Sequence, residues 1–107
     1  MKLKPSKRPK KRYIVFEVVS DKLNDDSAIY KSIRSAAMNI LGVKYSEAGI
    51  RFLKDKYRSR IHRGIFRVNN DYSKSLISGL NKGHVVKTVG VSGILKKAEN
   101  KYLKIAS

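Results

Sequence analysis

The least generic stretch of this chain is Thr88-Val-Gly-Val-Ser-Gly-Ile-Leu-Lys-Lys97, where a β-branched run meets two glycines and ends in a lysine pair. Glycine inside an apolar run marks either a bulged strand or a place where another backbone comes very close, because glycine lacks the Cβ that would block the approach. We therefore predict a strand with a bulge or a close backbone approach at Gly90 and Gly93, followed by Lys96 and Lys97 as candidate contacts to a partner. A strand end followed by a turn and a solvated lysine pair is the alternative.

Outside this stretch, runs of β-branched and aromatic residues predict further strands, and apolar residues spaced three and four apart predict amphipathic helices. Polar residues that can cap a helix precede the first two helical patterns, whereas the C-terminal one has no clear cap. The predicted elements are a strand over 13–19, a helix over 28–41 capped by Asp25, Asp26 or Ser27, strands over 50–57 and 63–69, a helix over 72–82 capped by Asn70 or Asp71, a fourth strand from His84 or Val85, and a short helix after Ile94.

The order strand, helix, strand, strand, helix, strand is the split βαβ pattern of ferredoxin-like and RNA-recognition domains. We predict an α+β fold, a two-layer sandwich whose antiparallel sheet has its first and third strands at the centre, with a short C-terminal helix added. Residues 13–107 are predicted to form this single domain. Residues 1–12 hold seven basic residues, two prolines and no acid, and are predicted to form a flexible basic arm.

The charge balance indicates a polyanionic partner. The chain carries 25 Lys and Arg against 8 Asp and Glu, a formal net charge of +17. Nucleic acid is the expected partner, because binding by many cations releases its condensed counterions. No stretch reaches the roughly 18 apolar residues that a membrane span requires, so no membrane partner is expected. The absence of Cys excludes disulfides and cysteine-based metal sites and fits a reducing compartment, for which we expect the cytoplasm.

Basic residues concentrate in the arm and in the hairpin formed by the second and third strands. The third strand begins like the RNA-recognition signature, but the positions that would present stacking aromatics hold Ile65 and Arg67. We therefore predict recognition of the phosphates and shape of folded RNA, not of splayed bases. The predicted RNA-binding residues are Lys7, Arg8, Lys10, Lys11, Arg12, Arg51, Lys54, Lys56, Arg58, Arg60, Arg63, Arg67, Lys96 and Lys97.

No pattern in the sequence predicts catalysis or a metal site. The eight acids are scattered, and the two histidines have no evident partner for metal binding or acid–base chemistry. We expect no catalytic residue and no enzyme activity from this chain alone. A ribosomal or other structural RNA-binding protein of the same sandwich fold, and a stand-alone nuclease, are the alternative functions.

Four segments together resemble protein component 2 of archaeal ribonuclease P, a family that also includes a small eukaryotic subunit shared by ribonuclease P and the mitochondrial-RNA-processing ribonuclease. The resemblance spans about residues 12 to 98, and it is carried by 12–17, 48–50, 64–68 and above all Gly90-Val-Ser-Gly-Ile-Leu-Lys-Lys97. It implies a non-catalytic protein subunit of an RNA enzyme that removes the 5′ leader from precursor tRNA, with hydrolysis performed by the RNA and its bound magnesium.

The resemblance also implies the partners of such a subunit. These are the catalytic domain of the ribonuclease P RNA, precursor tRNA nearby, a larger TIM-barrel-like protein subunit, and a second copy of the chain in a homodimer within a heterotetramer. No cofactor is expected on the protein itself.

Overall fold

A computed structural model describes residues 10–19, 26–58, 60–83 and 86–103 of the chain. The elements are β1 (Lys11–Val18), α1 (Asp26–Leu41), a 3₁₀ segment (Gly42–Ala48), β2 (Arg51–Phe52), a 3₁₀ turn (Lys54–Lys56), β3 (Arg63–Asn69), α2 (Asn70–Lys82), β4 (Val86–Ser92), α3 (Leu95–Ala98) and a π-helical turn (Glu99–Leu103). This order confirms the predicted α+β fold with a short C-terminal helix.

The four strands form one antiparallel sheet in the order β2-β3-β1-β4. The first and third strands are therefore central, as predicted. The apolar run of β1 explains this position, because Ile14, Val15 and Phe16 are all fully buried and so need cover on both faces of the sheet.

One face of the sheet packs against α1 and α2 and carries the larger core. Ile14, Phe16 and Phe66 point to this face, and Tyr30 of α1 meets the Phe16 ring edge-on at 5.6 Å between ring centroids. Such aromatic contacts add specificity to the hydrophobic burial that holds the helices on the sheet.

The opposite face, called here the outer face, is covered by the C-terminal segment, α3 with its π-helical turn. Val15 and Ile65 pack there against Ala98 and Leu103. The backbone carbonyl of Tyr102 also accepts a hydrogen bond of 3.0 Å from a guanidinium nitrogen of β3. Apolar side chains of the C-terminal segment therefore bury the centre of a face that RNA-recognition domains keep open.

The boundaries of β2 and β1 differ from the prediction. The strand predicted over 50–57 contains only Arg51 and Phe52, because the chain leaves the sheet in a turn closed by a 2.9 Å hydrogen bond from the Lys56 amide to the Leu53 carbonyl. Conversely, β1 begins at Lys11, whose ammonium donates to the Asn69 side chain at 2.6 Å. Residues 11 and 12 therefore belong to the strand and not to the arm.

The cap of α2 also differs from the prediction. Asn69 is the N-cap residue, and Asn70 and Asp71 form the first helical turn. The Asn69 side chain makes no cap hydrogen bond, since its Oδ1 accepts from the Lys11 ammonium. Its Nδ2 donates to the Glu47 carbonyl at 2.9 Å and so ties the 3₁₀ segment to β3. For α1, the helix begins at Asp26, whereas the cap candidate Asp25 and the predicted start of β4 at His84 or Val85 lie outside the described residues.

Candidate nucleic-acid interface

The stretch from Thr88 to Lys97 contains a β-bulge. Along β4, Gly90 lies opposite Val15 and Thr88 lies opposite Phe16, so Val89 is the extra residue between them. Bulges bend a strand and increase its twist. This bulge lies in the second half of β4, shortly before the chain enters α3.

The close approaches at Gly90 and Gly93 are made by side chains and not by another backbone. A Cβ on Gly90 would overlap the ring of Tyr102, and a Cβ on Gly93 would meet the guanidinium of Arg12. The absence of a side chain at Gly90 thus makes room for the ring that anchors the C-terminal segment on the outer face.

Three predicted RNA-binding cations make hydrogen bonds within the domain. Lys11 and Arg12 bind the asparagine pair at the β3–α2 junction, the latter through a 2.8 Å hydrogen bond from Nε to Oδ1 of Asn70. Arg63 donates from Nε to Glu17 at 3.0 Å and from Nη1 to the Tyr102 carbonyl. The hydrogen bond from Arg63 is the main cause that lowers the pKa of Glu17, with Lys87 adding to it.

Two further cations of the predicted hairpin have partners in the 53–58 turn or the C-terminal segment. The Lys56 ammonium lies 2.7 Å from a carboxylate oxygen of Glu99, and this hydrogen bond raises the pKa of Lys56. Arg58 donates weakly, at 3.4 Å, to the Asp55 carbonyl. An RNA contact by either residue would have to share the side chain with these partners.

The remaining predicted cations are free of ion pairs with any acid in the described ranges. Most of them are exposed, and Arg67 is half-buried. This free set consists of Lys10, Arg51, Lys54, Arg60, Arg67, Lys96 and Lys97, whereas Lys7 and Arg8 lie outside the described residues.

Two members of the free set lie side by side. Arg51 of β2 is directly opposite Arg67 of β3, and Tyr13 of β1 is opposite Arg67 on its other side. Directly opposite residues point to the same face of a sheet, so both guanidinium groups lie on the outer face. The Nε atom of Arg67 is buried and has no hydrogen-bond acceptor within the described part of the chain.

A second basic cluster was not predicted. Lys31 and Arg34 of α1 and Lys54 of the 3₁₀ turn line a shallow cavity of about 270 Å³ that also contacts the Phe52 ring. The two α1 residues are three apart and therefore neighbours on the helix surface. That spacing is visible in the sequence, but their proximity to Lys54 depends on how α1 packs beside β2.

The described residues contain neither a cluster of metal ligands nor a helix that could span a membrane. Across residues 10–19, 26–58, 60–83 and 86–103, no three His, Asp or Glu side chains come together as metal ligands. No helix in these same ranges has both the length and the apolar character needed to cross a bilayer.

Comparison with protein families identifies the domain. The model of the Rpp14/Pop5 family matches residues 12–103, which is most of the chain. The chain belongs to the Rpp14/Pop5 family. The matched region of this Rpp14/Pop5 protein runs from β1 through the π-helical turn, so it includes the C-terminal segment on the outer face.

Curated relatives of this Rpp14/Pop5 protein share a name. The Pyrococcus abyssi "Ribonuclease P protein component 2" is 33% identical over 116 residues, covering 96% of this chain and 95% of the relative. The protein of the same name from Methanosarcina mazei is 32% identical over 111 residues, covering 96% and 92%. That from Archaeoglobus fulgidus is 26% identical over 110 residues, covering 96% and 97%. The resemblance inferred from the sequence is confirmed.

Proposed function

We propose that this chain is a non-catalytic, RNA-binding protein subunit of ribonuclease P that supports the catalytic RNA in removing 5′ leaders from precursor tRNA. The observation that carries the proposal is membership of the Rpp14/Pop5 family over residues 12–103, together with relatives named ribonuclease P protein component 2. Family membership favours this role over a ribosomal or other structural RNA-binding protein.

The physical role of the protein is neutralisation of RNA phosphates. The net charge of +17 and the free cations on several surfaces would replace counterions where phosphates of the folded RNA crowd together. The RNA could then fold and hold its magnesium ions at lower salt than it needs alone. In this proposal the magnesium is bound by the RNA, and the protein carries no cofactor.

Partner proteins would bind at the periphery of the sandwich. Because the C-terminal segment covers the outer face, the exposed edge of β4 is the better docking site for a TIM-barrel-like subunit or for a second copy in a homodimer within a heterotetramer. Val91 on that edge and Ile94 just beyond it are 39% and 51% exposed, so a partner bound at this edge would bury apolar surface. The catalytic domain of the RNA and precursor tRNA are the proposed nucleic-acid neighbours, in the cytoplasm.

Reconstitution tests the proposed function directly. Cleavage of precursor tRNA at low magnesium is measured with ribonuclease P RNA alone, with this protein, and with the protein and its partner subunit. We expect stimulation by the protein and no cleavage when the RNA is omitted. Absence of stimulation would contradict the role as a ribonuclease P subunit, and cleavage without RNA would indicate a stand-alone nuclease.

Salt dependence tests the phosphate mechanism. If about six phosphates are contacted, the slope of log affinity against log salt should be about −4 to −5. A slope near zero would refute phosphate neutralisation even if the protein stimulates the RNA.

A further inference from the structure

The outer face of the sheet has three rows of side chains with different electrostatics. The central row, Val15 with Ile65, is apolar and lies under the C-terminal segment. Two residues along the strands in one direction, Arg63 is opposite Glu17. Two residues in the other direction, Arg51 is opposite Arg67.

An acid partly neutralises the first flanking row. The carboxylate of Glu17 binds Arg63 at 3.0 Å and also lies 3.6 Å from the ammonium of Lys87. Glu17 on the middle strand therefore forms an ion pair with a cation on each neighbouring strand. The two ion pairs link β1 to both of its neighbouring strands and leave the row one cation in excess of its acid.

The second flanking row has no such acid. Arg51 and Arg67 face each other on adjacent strands, and the next residue in the row is Tyr13. Like charges directly opposite each other destabilise a sheet. In addition, the buried Nε of Arg67 finds no acceptor among the described residues, which is costly for a charged donor. Both features work against folding and would be relieved by one bound anion.

The position of the row suits an anion that belongs to a large molecule. Arg51 is exposed and lies on β2, which forms one edge of the sheet, so the pair can be reached from that side. Each guanidinium presents a planar fork of donors that matches the oxygens of a phosphate group. Two forks on neighbouring strands can hold different oxygens of the same phosphate.

We propose that Arg51 and Arg67 form a phosphate-binding site on the outer face and fix one backbone phosphate of the RNA against the sheet. The proposal rests on the proposed function for the identity of the ligand, whereas the site itself rests on the arginine pair. The site accounts for a like-charge pair that the fold does not need. It also gives the protein one contact built from two planar guanidinium groups among many lysines, whose side chains have flexible stems.

The test compares two variants with the same loss of charge. Arg51→Gln/Arg67→Gln removes the site, and Lys74→Gln/Lys82→Gln removes two exposed cations from α2, in the helix layer on the other side of the sheet. Affinity for a ribonuclease P RNA transcript is measured between low and moderate salt. We expect the arginine variant to bind about tenfold or more weakly and the salt slope to become shallower by about 0.7 to 0.9, the value for one lost phosphate contact. The lysine variant should lose less than about threefold.

Thermal unfolding of the same variants separates binding from folding. Because the arginines repel each other in the free protein, Arg51→Gln/Arg67→Gln should melt at the same temperature as the natural chain or higher. A clearly lower melting temperature would show that the pair stabilises the fold and would overturn the proposal. An equal loss of RNA affinity in the arginine and lysine variants would overturn it as well.

Inorganic phosphate distinguishes the two sources of the ligand. If millimolar phosphate raises the melting temperature of the natural chain and of the lysine variant but not of the arginine variant, the site also takes free phosphate. If the arginine and lysine variants differ in RNA affinity but respond alike to inorganic phosphate, the ligand is the RNA backbone. Failure of the natural chain to bind RNA would overturn the proposed function, and the phosphate measurement would then decide the site alone.

Discussion

Replacing Gly90 with alanine is expected to loosen the C-terminal segment from the sheet. The added Cβ would overlap the ring of Tyr102, so either the ring or the strand must move. The bulge beside Gly90 and the pairing of β4 with the central strand limit movement of the backbone. The ring therefore has to leave its place, and it carries the π-helical turn with it.

Two estimates give the expected loss in the free energy of unfolding. Forcing an extra methyl into a packed site destabilises by about 1–3 kcal/mol. Displacement of the π-helical turn alone, with α3 still in place, would expose Leu103, which is 2% exposed in the fold and contributes about 1.5–3 kcal/mol of burial. We expect a loss of about 1–3 kcal/mol, which for a chain of this size lowers the melting temperature by about 4–12 °C.

Thermal or urea unfolding measures this loss, and a double-mutant cycle shows its cause. In a Tyr102→Ala background the ring is gone, so Gly90→Ala should cost much less than it does in the natural chain. Gly83→Ala is the matched control, because the nearest atom to its Cβ is a backbone oxygen at an ordinary 3.4 Å. If Gly90→Ala is as mild as this control, or equally harmful with and without the ring, the steric argument is wrong.

Three more outcomes follow from the contacts of the fold and the basic surface. Binding to Arg63 lowers the pKa of Glu17, so the carboxylate stabilises the fold above its unfolded pKa, and this contribution is lost as the pH falls through the folded pKa. Glu17→Gln should therefore make the free energy of unfolding depend less on pH below about pH 5. An unchanged pH dependence in urea unfolding would contradict the link. Lys96→Ala/Lys97→Ala should make the salt slope of RNA binding shallower by about 1.4 to 1.8, whereas unchanged affinity and slope would remove both lysines from the interface. Phe66→Ala, which empties a fully buried site between two other rings, should cost about 3–5 kcal/mol in urea denaturation, and a cost below about 1 kcal/mol would mean that the core refills the space.

Local patterns were sufficient for most of the fold. The apolar run of β1 predicted a strand covered on both faces, and β3 has the predicted bounds of Arg63–Asn69. The second strand was predicted too long because apolar and charged residues alternate only imperfectly in 50–57, and hydrogen bonds in a turn compete with pairing to β3 there. The basic hairpin was correctly recognised as a pairing of two strands, but its cations proved to have different partners.

Periodicity and composition determine the element order, the sandwich and the attraction to a polyanion, because these depend on residues close together in the chain and on total charge. Periodicity and composition do not distinguish Arg51, Arg63 and Arg67, since all three are basic residues in predicted strands. Only the tertiary structure gives Arg63 an acid and places Arg51 opposite Arg67, because strand register brings distant residues together and a shift of one residue would move every side chain to the other face. Tertiary structure also explains Gly90, because the ring of Tyr102 from the C-terminal segment packs where a Cβ would lie.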